Sequence, residues 1–136
     1  MKKHHVVLTV LAIALSACAS IPPAVFVDMS LSTAGPEKHV VTVERGSTMG
    51  ADHAPLHVYV DEKLVAKLYG NQAINLYLPS GRYRIGVAMN GVGIFGHGEH
   101  GPDRAITVDV SASSNPILMA SPIGGVMPIW KIEKSN

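Results

Sequence analysis

Residues able to do chemistry are few in this chain, and two stretches hold most of them. The first is Leu15-Ser16-Ala17-Cys18, which carries the single thiol of the protein. The second is the glycine-rich run from Asn90 to Asp103, which contains His97-Gly98-Glu99-His100. Imidazole and carboxylate are good ligands for zinc, copper or nickel, and His97, Glu99 and His100 are close enough in sequence to chelate from one loop. His53 and His57 would add ligands if their loop lay beside it. The arrangement is not the H-E-x-x-H of metalloproteases, because the glutamate lies between the histidines and no helix is indicated. Gly91-Val92-Gly93-Ile94-Phe95-Gly96 formally fits G-x-G-x-x-G. A dinucleotide site also needs a helix to begin there, and the glycines and proline of His97 to Pro102 oppose one. The glycines are better explained by positive φ angles in a long hairpin loop. Ile94-Phe95 in that loop is an apolar pair that either contacts a partner or a membrane, or folds back onto the edge of the domain.

Catalytic groups are otherwise thinly supplied. Ser47, Ser80 and Ser121 are turn residues outside any nucleophile elbow. Asp28, Asp52, Asp61, Asp103 and Asp109 each suit a loop or an exposed strand face rather than an opposed acid pair. With one tryptophan, two phenylalanines and four tyrosines, a sugar-stacking platform is poorly provided. No enzymatic activity and no bound cofactor are expected, with a metal on His97, Glu99 and His100 kept as the alternative.

The segment that presents Cys18 has its own logic. Lys2 and Lys3 form a positive start, and Val6 to Leu15 form a short apolar run of the length found in secretory signals. A membrane-spanning helix needs roughly 20 apolar residues, and this run stops short at Ser20-Ile21-Pro22-Pro23. Leu15-Ser16-Ala17-Cys18 resembles the lipobox of bacterial lipoproteins. The resemblance implies that residues 1–17 are a signal peptide cut before Cys18, that the Cys18 sulfur carries a diacylglyceryl group, and that the new amine is acylated. One acyl chain anchors marginally and two or three anchor durably. Ala19, where an aspartate would imply retention at the inner membrane, implies an outer-membrane position facing the periplasm. Residues 18–23 then form a short tether stiffened by Pro22-Pro23.

The chain beyond the tether is long enough for one domain, expected over residues 24–134. The formal charge of +1 turns slightly negative once Lys2 and Lys3 are lost, so no basic stripe remains for nucleic acid. A lipidated Cys18 leaves no disulfide to form, and stability must come from a packed core. The content of 47% hydrophobic against 15% charged residues is compatible with that.

Period-two patterns then lay out the elements that must position these groups. Strands are expected over Ala24–Leu31, Lys38–Glu44, Leu56–Val60, Leu64–Leu68, Ile74–Leu78, Tyr83–Met89, Ile106–Val110, Pro116–Ala120 and Val126–Ile132. Turns fall at Thr33 to Pro36, Asp61 to Lys63, Gly70-Asn71, Pro79 to Gly81, Ser111 to Asn115 and Ser121 to Gly125, and residues 46–55 form a loop. The expected fold is all-β, an antiparallel sandwich of seven to nine short strands with almost no helix. Val58 to Ala66 followed by Ile74 to Ile85 is similar to the PEGA-type surface domain and to small β-sandwich lipoprotein families, which implies a compact sandwich without assigned catalytic residues. Glu62 stands where that pattern has its hairpin glycine, so a different turn type is expected there. The functional expectation is a membrane-anchored envelope lipoprotein that binds or braces another envelope component, with the bilayer itself as its first partner.

Overall fold

The computed structural model describes residues 20–47, 51–89, 102, 104–123 and 129–135. Among the described residues nine strands build two facing sheets. They are β1 (Val25–Phe26), β2 (Lys38–Arg45), β3 (Leu56–Val60), β4 (Lys63–Leu68), β5 (Gln72–Pro79), β6 (Gly81–Ala88), β7 (Arg104–Val110), β8 (Ile117–Ile123) and β9 (Ile129–Lys134). One sheet has the order β1-β4-β3-β6-β7 and the other β5-β2-β8-β9. The fold is an all-β sandwich, and among the described residues the only helical element is a 3₁₀ turn at Met29–Leu31. No helix among them is long and apolar enough to cross a membrane.

Alternation sends one row of each strand inward. Val41 and Val43, Leu56 and Val58, Ile74, Leu76 and Leu78, Ile85 and Val87, Val108 and Val110, Leu118 and Ala120 meet with Trp130 in one core. Fully burying a side chain of this size contributes about 1.5–3 kcal/mol, so these rows hold the two sheets together.

The sandwich has two ends, each labelled by a residue near a terminus of β2. At the Arg45 end lie the start of β3, the end of β4 and the start of β5, since Arg45 pairs with Gln72 and Leu56 with Leu68. At the His39 end, Lys38 pairs with Pro79, and the β3–β4 and β6–β7 ladders reach Val60↔Lys63 and Gly81↔Val110.

Three local features depart from the sequence pattern. The strand expected over Ala24–Leu31 is only two residues long. Asp28 stops it by accepting from the Ser30 amide at 3.1 Å and capping the 3₁₀ turn. The second sheet is mixed, because β8 runs parallel to β2 with Thr42 opposite Ile117. Both strands begin where the chain crosses from the other sheet at the His39 end, so both must run the same way.

The third departure is the β3–β4 turn, where Asp61 and Glu62 both have positive φ (47° and 66°). That is the φ pattern of the tight type I′ turn a glycine would favour. The expected change of turn type does not occur. Arg84 on β6 supports the strained pair: its amide donates to Asp61 Oδ1 at 2.8 Å, its carbonyl accepts from the Asp61 amide at 2.8 Å, and its guanidinium bridges to Glu62.

Candidate functional site

The residues that sequence reasoning singles out for chemistry, Cys18, Ile94, Phe95, His97, Glu99 and His100, lie outside the described residues. The strands that bound the glycine-rich run are described: β6 ends at Ala88 and β7 begins at Arg104, both at the Arg45 end. Pro102 packs back over Gly86, where an added Cβ would collide with the proline ring.

The other two histidines considered as helpers sit apart. His53 is exposed in the loop before β3. His57 is on β3, 5% exposed, with its ring tilted against Tyr59 at 6.4 Å between centroids. Among the described residues no three histidine, aspartate, glutamate or cysteine side chains come together as a metal site would need.

The described aspartates are individually engaged. Asp28 accepts from Lys63 Nζ at 2.6 Å, Asp52 from Ser47 Oγ at 2.6 Å, Asp61 from the Arg84 amide, and Asp109 from Arg82 Nε at 2.8 Å. The Lys63 ammonium, helped by Ser30, holds the Asp28 carboxyl down at about 2, and Arg82 lowers that of Asp109. The structure thus distributes these acids among turns and strand faces.

Polar chemistry instead collects at the two ends of one inward row on β2: His39, Val41, Val43 and Arg45. At the His39 end an open depression of ≈ 420 Å³ is lined by Pro36, Glu37, His39, Pro79 and Ser80. His39 Nε2 and Ser80 Oγ are hydrogen-bonded at 2.9 Å. The β2–β5 register explains their meeting: His39 pairs with Leu78, and the β5 row Ile74-Leu76-Leu78 continues to Ser80 as the core opens. Sequence alone marks this serine only as a turn residue, because nothing local announces which histidine the register brings to it. Glu37 lines the same depression but does not hydrogen-bond His39, and among the described residues no carboxylate orients the imidazole as in a nucleophilic triad. The pair offers a hydrogen-bonding surface to a small polar group.

At the other end Arg45 is closed over. It is 2% exposed, and its guanidinium donates to the carbonyls of Ala54 (2.6 Å), Leu68 (2.8 Å) and Ala51 (2.7 Å). Its Cζ lies 4.8 Å from the centre of the Trp130 ring. Burial lowers the Arg45 pKa below its usual value and nearby Asp52 partly offsets that, while the guanidinium stays charged. Arg45 Nε and Trp130 Nε1 are both buried donors with no hydrogen-bond partner.

No family model, curated protein or solved structure matches the chain. Residues and geometry alone therefore carry the functional reading.

The chain enters the sandwich at the Arg45 end, where Gln72 Nε2 donates to the Pro22 carbonyl at 2.6 Å. From there β1 runs along β4 towards the His39 end, with Val25 opposite Lys67 and Phe26 opposite Ala66.

Proposed function

We propose that the protein is a non-enzymatic envelope lipoprotein, anchored by lipid on Cys18 to the outer membrane and facing the periplasm. Its sandwich holds or braces another envelope component. The observation that carries this reading is the lipobox-like Leu15-Ser16-Ala17-Cys18, and the hydrogen bond from Gln72 to the Pro22 carbonyl bears on how close to such an anchor the domain would sit. With Pro22 fastened to the domain, only Ala19, Ser20 and Ile21 separate it from the lipid-bearing residue. At about 3.3–3.6 Å per extended residue the sandwich is kept within roughly 15 Å of its anchor. A module held so near a surface works by placement, the lipid fixing where it sits and the tether fixing how far it reaches.

The short apolar run before the lipobox-like stretch supports the same reading. Palmitate labelling of the full chain beside a Cys18→Ser variant tests it. The expected outcome is label and membrane partition in the parent and loss of both in the variant. A variant that is processed and partitions like the parent would refute the anchor.

A further inference from the structure

We infer that the outward row of the first described stretch is a second, non-covalent membrane contact, which lays the sandwich on its β1 side against an anionic lipid surface. The inference rests on the Cys18 anchor and names the surface that such an anchor brings to the bilayer. Large apolar side chains left exposed among the described residues are Ile21 (38%), Val25 (47%), Val27 (51%), Met29 (67%), Ile117 and Ile123. Four of the six thus belong to nine consecutive residues.

Ala24, Phe26 and Leu31 pack against the core, whereas Val25 and Val27, on either side of Phe26, are exposed, as are Ile21 before them and Met29 in the 3₁₀ turn after them. An edge strand ordinarily carries charged or polar groups on such a face. The opposite edge of the same sheet does so, with Arg104, Thr107 and Asp109 exposed on β7.

Cations flank the row. Lys67 is the cross-strand neighbour of Val25 and makes no ion pair among the described residues. Lys63 is bonded to Asp28, and Lys38 reaches over to the carbonyl of Ser30 at 2.6 Å. Lysines beside an apolar strip, with Lys67 outside any ion pair among the described residues, suit an interfacial contact with anionic headgroups.

Chain length makes lipid the occupant. Ile21 lies three residues beyond Cys18, at most about 11 Å from it when fully extended, so the row starts at headgroup level. Met29 can reach that level only if β1 lies along the bilayer.

The test uses the full lipidated protein in vesicles of phosphatidylethanolamine and phosphatidylglycerol. Lipid on Cys18 leaves an added cysteine as the one labelling site, so spin labels are placed by Val27→Cys, Met29→Cys and, on β7, Thr107→Cys. Access of a polar nickel chelate to positions 27 and 29 is expected to be about fivefold lower than to 107, and Lys67→Glu should narrow the gap. Equal access at all three positions with Cys18 shown by mass to be lipidated would overturn the membrane contact and leave the anchor standing. An unmodified Cys18 would overturn both. Spin–spin broadening at position 29 that persists when lipid is in large excess would assign the row to a second copy of the chain and overturn the lipid contact.

Discussion

The inward row of β2 ends in a polar side chain at both termini, and the two ends solve that problem in opposite ways. Arg45 is sealed under the loop before β3, with three carbonyls as acceptors and the Trp130 ring beneath it. His39 is left half-buried at an open mouth with one partner, Ser80. A buried cation needs local acceptors, and the three carbonyls supply them to both terminal nitrogens of Arg45 though not to its Nε. An imidazole beside water can leave the rest to solvent. The Arg45 end is therefore built for stability and the His39 end has room to contact something else.

The largest effect expected to sharpen this contrast is at Arg45. Arg45→Ala leaves the carbonyls of Ala51, Ala54 and Leu68 without their donor and should cost about 3–5 kcal/mol, read from the urea midpoint of unfolding. A cost under about 1 kcal/mol would mean that water fills the gap and that the end is not sealed. Trp130→Leu should follow at about 2–3 kcal/mol, through lost packing and the lost ring face, measured in the same way.

At the far end the ion pair of Asp28 with Lys63 gives an acid-dependent effect. The Asp28 carboxyl titrates at about 2 in the fold against an ordinary 3.8. Its stabilisation is therefore complete above about pH 4 and fades as pH falls through about 2. Asp28→Asn should be less stable than the parent at about pH 6, and the two should converge near about pH 2. A gap that persists unchanged at low pH would assign the effect to the 3₁₀ cap rather than to the charge. The smallest change belongs to His39→Ala, expected to shift stability by no more than about 0.5 kcal/mol. A loss comparable to that of Arg45→Ala would abolish the distinction between the two ends.

Much of the sandwich is legible from alternation. Leu56-Val58-Val60, Ile74-Leu76-Leu78 and Val108-Val110 all deliver their apolar residues to the core, because a strand writes its inside row at every second position, although β3 is buried on its other face as well. Pairing across the second sheet is not legible. The parallel β2–β8 ladder and the meeting of His39 with Ser80 depend on which strand lies beside which, and alternation carries no such information. Strand ends are also misplaced where a local side chain competes with the ladder, as Asp28 does after β1.

Pro122 misleads in a similar way: it suggests a turn, yet β8 continues through it to Ile123. The reason is visible in the register, since β2 pairs with β8 only as far as Ala120. Beyond that point the strand has a single neighbour, and a missing amide is tolerated. Arg45 stands one residue past the expected end of its strand, although its place in the row after Val41 and Val43 marks it as inward.

The parallel pairing of β2 with β8 also sets the order in which the chain can finish folding. β3 and β4 are joined by a tight turn, so that hairpin can zip up early. The second sheet is different: the inner edge of β2 stays open until β8, far along the sequence from it, arrives to cover it. Closing so long a loop is entropically costly and slows the final step. A chain emerging N-terminus first must carry β2 unfinished until the residues of β8 have emerged as well. Truncation before Ile117 would leave that edge exposed as a template for intermolecular strand pairing.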